Sequence, residues 1–298
     1  TPTGADVVVT AAGDIACVPT SPRGTSSCAH ELTSDAVLSV NPDAALTLGD
    51  NQYDSGSLAD FQQSYDPTWG LFKAKTYPAP GNHEWGTANA QGYRDYFAAG
   101  VPAAVKVTPT WYSYDLGGWH FISLDSDCSK VGGCTDGTPQ HEFVQQDLAA
   151  NNGKPTMVYA HHPRWTSDMR FTSSPGQYTA MDPIWQLMVA DLDVQAYLAG
   201  HDHFYERFSR MGYTGPDPAG LRQFVVGTGG KNHICPTPTR TAGSELANCT
   251  TFGVQKLTLH ADGSYDWQFV AAAGTGTFVD SGSEPSRQDQ PTPTPTPT

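Results

Sequence analysis

The sequence predicts an α/β fold, a two-sheet β-sandwich flanked by helices. Three observations point to it. Short, mostly apolar runs, such as 7–9 and 44–48, have the length and composition of strands buried on both faces. A helical stretch separates those two runs, which makes a β-α-β unit. Toward the C-terminus, residues 223–226, 253–259 and 264–270 alternate as antiparallel strands do.

The elements follow in order. Val7-Val8-Val9 is the first strand and leads to Gly13-Asp14. Residues 35–40 form a short helix that Asn41-Pro42 ends. Ala44-Ala45-Leu46-Thr47-Leu48 is the second strand and runs into Gly49-Asp50. Residues 76–79, before Pro80-Gly81-Asn82, repeat that strand-to-loop pattern. Residues 111–116 and 119–124 flank Gly117-Gly118, a hairpin signal. The spacing of Phe143, Val144 and Leu148 predicts a helix over 141–148. Residues 156–160 form a strand that enters His161-His162. Asp182-Pro183 opens a helix over 184–192, with Asp at the cap and Pro at the first helical position. Residues 194–198 form a strand ending at Gly200-His201-Asp202-His203. Polar residues thus gather at strand C-termini, where open α/β sheets bind ligands.

Composition narrows the class. A chain of 298 residues can bury a large core as one α/β domain or two small ones. We expect one domain over 1–280 and a Pro/Thr-rich linker or tail over 281–298, since the final Pro-Thr repeat can only act as an extended spacer. Such a spacer leads to a further module or a surface anchor, or is simply dispensable. Sixteen Lys and Arg against 30 Asp and Glu give a net charge of −14, with no basic run. That balance excludes a nucleic-acid-binding face and an anionic-membrane face, and no apolar run is long enough to span a bilayer. It also repels anionic substrates, so a site for phosphate esters would need bound cations. The six cysteines fall in sequence-local pairs, Cys17 with Cys28, Cys128 with Cys134 and Cys235 with Cys249, although six allow fifteen connectivities. Zinc is the competing reading, and the absence of any Cys-x-x-Cys speaks against it. Disulfides imply an oxidising compartment. The start at Thr1 is that expected of a mature secreted protein.

Five blocks carry the chemistry: Gly13-Asp14, Gly49-Asp50-Asn51-Gln52-Tyr53, Gly81-Asn82-His83-Glu84, Val158-Tyr159-Ala160-His161-His162-Pro163 and Gly200-His201-Asp202-His203-Phe204-Tyr205-Glu206-Arg207. In content and order they resemble the calcineurin-like metallophosphoesterases, and within them the purple acid phosphatase branch. The resemblance implies that fold and two metal ions per chain. It implies Asp14, Tyr53 and His203 at one metal, Asn82, His161 and His201 at the other, and Asp50 bridging. Many members begin with Asp-x-His, whose histidine binds the first metal; here that position is Ala16. The purple acid phosphatase branch supplies a tyrosine from Gly-Asp-x-x-Tyr instead, which Tyr53 matches. A phenolate is a hard anionic donor, so Fe³⁺ is expected at the Asp14/Tyr53/His203 site, and Fe²⁺, Zn²⁺ or Mn²⁺ at the Asn82/His161/His201 site. The plain alternative for Tyr53 is a half-buried loop tyrosine.

His83 corresponds to a family histidine that does not bind metal and sits by the leaving group, where an imidazole can donate a proton. The alternative is a histidine that orients Asp50. Plant-type relatives carry further substrate histidines that are missing here, which leaves His162 and Arg164 as candidates for the phosphate, each equally explicable as structural. Glu84 and a buried Glu206–Arg207 arrangement read as loop supports. Gly227-Thr228-Gly229-Gly230 lacks the Lys-Ser/Thr pair of a nucleotide P-loop and reads as a turn near the site; His233, just after it, has no motif that places it at the rim. The leading expectation is a secreted binuclear-metal phosphomonoesterase acting on a small phosphorylated substrate. One alternative is a phosphodiesterase or nucleotidase on the same site, with access set by loops 55–70, 87–105 and 164–178. The other is a non-catalytic surface or matrix protein that retains a metal site.

Overall fold

Two mixed sheets pack face to face, with helices on the outside. The structure is a computed structural model and describes residues 5–168, 178–236 and 238–289. The first sheet has the order β13-β12-β11-β1-β2-β3. Its parallel half is β1 (Val7–Ala12), β2 (Ala44–Leu48) and β3 (Thr76–Ala79). β11 (Gly253–Leu259), β12 (Tyr265–Ala271) and β13 (Ser281–Glu284) extend it antiparallel. Every residue of β2 is buried, the polar Thr47 included, as in a strand covered on both faces. Helix α1 (His30–Val40) joins β1 to β2 and stops where Asn41 takes φ 50°, with its N–H on the carbonyl of Val37.

The second sheet has the order β10-β8-β9-β7-β6-β5-β4. β5 (Trp119–Ser123), β6 (Thr156–Tyr159), β7 (Val194–Ala199) and β9 (Leu221–Val226) run parallel. β4 (Tyr112–Leu116), β8 (Tyr205–Met211) and β10 (Ser244–Asn248) pair antiparallel to their neighbours. The β4–β5 turn uses Gly117 and Gly118 at φ 58° and 90°, the positive values a tight hairpin demands. A Cβ on Gly117 would also lie 1.9 Å from Val7 Cγ2. The one-turn α2 (Leu58–Asp60) and α3 (Gln91–Phe97) flank the first sheet's connections, while α4 (Pro139–Ala150) and α5 (Asp182–Ala190) cover the second sheet.

Period-two alternation divides the apolar side chains between two layers. Phe121, Met157, Leu198 and Phe224 join Val9, Ala11, Leu46 and Leu48 between the sheets. Ile122, Val158 and Val225 point the other way, against Val144, Leu148, Ile184, Trp185 and Met188 of α4 and α5. Each fully buried side chain of this size contributes roughly 1.5–3 kcal/mol. All six cysteines are paired as Cys17–Cys28, Cys128–Cys134 and Cys235–Cys249. Among the described residues no helix is long and apolar enough to cross a membrane.

Four expectations change. The 223–226 strand is antiparallel to β8 but parallel to β7. Asp182 is the first residue of α5 rather than its cap, since its backbone is already helical (φ −50°, ψ −44°), and its carboxylate pairs with Arg164. Arg207 does not partner Glu206: neighbours on a strand face opposite ways, and Arg207 pairs with Asp280 and Glu245. The folded part does not end at 280. Ser281–Glu284 pairs with β12, and Arg287 is 2% exposed, its guanidinium donating to the carbonyls of Asp191, Val194 and Ala219 at 2.6–2.7 Å. The Pro-Thr repeat lies outside the described residues.

Candidate metal centre

The C-terminal ends of β1, β2 and β3 and of β6 and β7 meet along one edge of the sandwich. Each end delivers one of the five sequence blocks. Asp14, Asp50 and His201 all adopt left-handed backbone, at φ 59°, 47° and 68°. Such a conformation in a non-glycine residue costs of order 1 kcal/mol and is retained where the surroundings fix a functional geometry. Glycines let the loops approach closely. A Cβ on Gly81 would lie 2.3 Å from Asp50 N, and one on Gly49 would lie 2.5 Å from His161 Nδ1.

The seven residues expected as ligands converge, in two groups. In the first, Tyr53 Oη lies 2.8 Å from Asp14 Oδ1 and 3.0 Å from His203 Nε2, and His203 Nε2 lies 3.3 Å from Asp14 Oδ1. In the second, His161 Nε2, His201 Nδ1 and Asn82 Oδ1 are each 3.1 Å apart. Asp50 Oδ2 belongs to both, at 2.9 Å from Tyr53 Oη and 3.3 Å from His161 Nε2. Backbone carbonyls set the imidazoles: His161 Nδ1 donates to Leu48 O and His203 Nδ1 to Asn232 O, both at 2.8 Å, so each Nε2 faces the cluster. Asp14 Oδ2 is buried without a hydrogen-bond partner. An orphaned carboxylate oxygen amid mixed oxygen and nitrogen donors fits a cation-binding centre.

Charge in this buried space is finely opposed. Burial alone would depress His161, but the Asp50 carboxylate outweighs it and pushes the imidazole up to about 10. Burial opposes ionisation of Asp50, yet His161 and His83 hold it well below the usual carboxylate range. Burial, with Asp14 and Asp50 beside it, raises the Tyr53 phenol. Glu84 is pushed up to about 8 by burial and the nearby Asp50; its carboxyl accepts from Gly81 N at 2.7 Å and Gln52 N at 3.1 Å, tying two loops together.

The remaining candidates separate. His83 stands at the mouth with its side chain 33% exposed, its N–H donating to Asp50 Oδ1 at 2.9 Å and its Nδ1 donating to Asp54 O. His162 is buried behind His201, at 4.1 Å between ring centroids; it is stacked on Tyr178 and its Nδ1 is bonded to Ser126 Oγ. One of its ring nitrogens lies within 4.8 Å of ring nitrogens of His161 and His201, so it sits buried beside the second group. Arg164 does not reach the cluster: its guanidinium pairs with Asp182, packs on Trp165 and donates to Tyr213 O. His233 donates through Nδ1 to His203 O and stacks on Phe252. Glu206 accepts from Ser167 and Ser244 beneath the last loop, while Asp202 accepts from Thr166.

Three nearby residues went unread. Asp127, just beyond β5, is pushed up to about 6 chiefly by burial, and its Oδ2 has no partner. Asp54 and Lys231 border the mouth beside Tyr53. Another strand end was the signal for Asp127; nothing local marks Lys231.

Residues 9–205 match the family model described as calcineurin-like phosphoesterase. The chain is 27% identical over 232 residues to purple acid phosphatase 23 of Arabidopsis thaliana, which is 66% of this chain and 49% of that protein. It is 25% identical over 220 residues to purple acid phosphatase 15 of the same plant, 64% of this chain and 40% of that one. Its fold is similar to that of purple acid phosphatase PPD1 from yellow lupin (Lupinus luteus) seeds, with TM-score 0.73 and 20% identity, over 99% of this chain and 58% of the other. The chain thus spans about half or less of the length of these curated relatives.

Proposed function

The chain belongs to the calcineurin-like phosphoesterases, on the purple acid phosphatase side of that family, and from that premise we propose that it is a secreted binuclear-metal phosphatase hydrolysing phosphate monoesters. The observation that carries this reading is the position of Asp50 Oδ2, shared between two donor groups. Asp14, Tyr53 and His203 would hold one cation, Asn82, His161 and His201 the other, with Asp50 between them. Fe³⁺ suits the tyrosine-containing group, and Fe²⁺, Zn²⁺ or Mn²⁺ suits the other. Bound there, two cations supply charge neutralisation for the phosphate and acidify the attacking water.

The protein's own groups do the rest. Burial keeps bulk water from the carboxylates and strengthens every interaction within the cluster. His83 is not needed to hold metal, yet the Asp54 carbonyl fixes its ring and leaves Nε2 toward the mouth, 3.8 Å from Asp50 Oδ2. From there it donates a proton to the leaving alcohol oxygen. That investment in an exposed, oriented imidazole argues for catalysis over a retained structural site. Three disulfides support the extracellular assignment.

Elemental analysis of the purified protein, with a screen of phosphomonoesters and phosphodiesters, tests the reading. Two metals per chain and faster monoester turnover are expected, and Asp50→Asn should lose most metal and most turnover. Full two-metal occupancy in Asp50→Asn would overturn the bridging role. Preferential diester turnover would move the assignment to the phosphodiesterase alternative.

A further inference from the structure

Backbone contacts with two loops fix the Lys231 main chain beside the centre. Its N–H donates to Asp14 O at 2.8 Å, and it forms an antiparallel bridge with Cys28. Ala29 N donates to Gly230 O at 2.8 Å, and a Cβ on Gly230 would lie 2.6 Å from the His30 backbone. The loop before α1 and the loop that carries Asp14 thus grip this segment from two sides. From that anchor the ammonium lies 4.6 Å from the Tyr53 ring centroid and 3.4 Å from Asp54 Oδ1. The Asp54 carbonyl accepts from His83, and the Tyr53 and His83 rings are 4.3 Å apart. The ammonium and the His83 imidazole therefore both lie against the buried Tyr53 ring.

An ion pair of this kind is easily given up. The Asp54 side chain is 69% exposed and the contact is long, so the pair adds little to stability. A phosphate ester offers more charge and several acceptor oxygens at once, and an ammonium binds phosphate as a movable point charge. The chain carries −14 overall and repels such an anion at a distance. Arg164, which closely follows the His161 block, is committed to Asp182.

We infer that Lys231 is a substrate-binding residue: as a phosphate ester arrives, its ammonium leaves Asp54 and pairs with a phosphate oxygen, and Asp54 keeps it poised at the mouth in the meantime. The inference rests on the phosphatase reading above. It predicts opposite effects for the two partners, which a purely structural ion pair does not.

The test uses metal-loaded wild type, Lys231→Gln, Lys231→Arg and Asp54→Asn. Calorimetric binding of inorganic phosphate is measured beside KM and kcat on one phosphomonoester, with metal content and melting temperature as controls. Lys231→Gln should weaken phosphate binding and raise KM about tenfold, the scale of one charge-assisted hydrogen bond, with kcat little changed. Lys231→Arg should restore binding, and Asp54→Asn should tighten it by freeing the lysine. Phosphate affinity in Lys231→Gln equal to wild type overturns the inference and leaves the phosphatase reading intact. Loss of metal in both lysine variants, with unchanged phosphate affinity per bound metal, also overturns it, in favour of a structural role. A fully loaded wild type that binds no phosphate removes both.

Discussion

Gly49→Ala tests the convergence of the site with a single methyl group. Gly49 sits at φ 79°, and a Cβ there would lie 2.5 Å from His161 Nδ1 and 2.6 Å from its Cβ and Cγ. Ordinary contact begins at 3.4 Å, so the imidazole must retreat by 3.4 − 2.5 = 0.9 Å or the β2 loop must shift as far. Either movement pulls His161 Nδ1 off Leu48 O, now at 2.8 Å, and turns Nε2 away from Asn82 and Asp50. Alanine at positive φ carries its own penalty, roughly 1–2 kcal/mol. Gly137→Ala is the matched control: its φ is 78° and nothing lies within 4 Å of the added carbon. Both variants should lose similar stability from backbone strain, with Gly49→Ala losing roughly 1–3 kcal/mol more from overpacking. Only Gly49→Ala should bind its second metal more weakly in a chelator competition. It should also turn over a phosphomonoester about 10²-fold more slowly at saturating metal, the usual consequence of an ångström of misplacement. If Gly49→Ala keeps two metals at wild-type affinity and wild-type turnover, the position of His161 does not govern the centre.

Three further outcomes are expected. His83→Ala should keep both metals and lose roughly 10²–10⁴-fold in turnover, with a smaller loss on esters of good leaving groups, because its proton goes to the leaving oxygen; an equal loss on both kinds of ester would assign His83 another task. Iron-loaded wild type should show a visible phenolate-to-iron band that Tyr53→Phe lacks while staying folded, and a colourless iron-loaded wild type would remove Tyr53 from the ligand set. His120 is buried between Asp115 and Asp147, each at 2.7 Å; burial lowers it, but the two carboxylates outweigh that and raise it. Its stabilising contribution is therefore complete below the unfolded value near 6.5 and lost as pH rises through the raised folded value, so the urea-midpoint gap between wild type and His120→Gln should shrink from pH 5.5 to pH 9.

The strands that position the site were legible because turn residues bound them tightly. The runs read at 44–48, 76–79 and 253–259 coincide with β2, β3 and β11. β8 escaped notice because its interior is charged: Glu206, Arg207 and Arg210 find partners in Ser167, Ser244, Glu245, Asp280 and Glu284, all distant in sequence. β13 is four small or polar residues whose strand character comes from pairing with β12. The blocks that converge at the sheet edge were readable because each is a local motif at a strand end. Arg164 misled for the same reason: it follows the His161 block closely, yet beyond Pro163 it turns to Asp182. Lys231 could not be found from sequence, since its approach depends on backbone contacts with Asp14 and Cys28.

Each donor group draws on both sheets. Asp14 and Tyr53 come from loops of the first sheet and meet His203, which follows β7 of the second. Asn82 follows β3 of the first sheet and meets His161 and His201 of the second. Neither sheet alone offers a complete set, so the distance between the two half-sites is fixed by the core between the sheets. That core sets side chains such as Leu46 and Leu48 against Met157, Tyr159 and Leu198, directly beneath the loops that carry the donors. Close-packed interiors transmit small displacements rather than absorbing them. A truncation there, such as Leu48→Ala, would act on the donor geometry as well as on stability, although Leu48 offers no side-chain ligand. The Gly13, Gly49, Gly81 and Gly200 positions belong to the same logic. They admit the close loop contacts that let two sheets present seven donors to one small space, and the strain at Asp14, Asp50 and His201 is offset by the packing below.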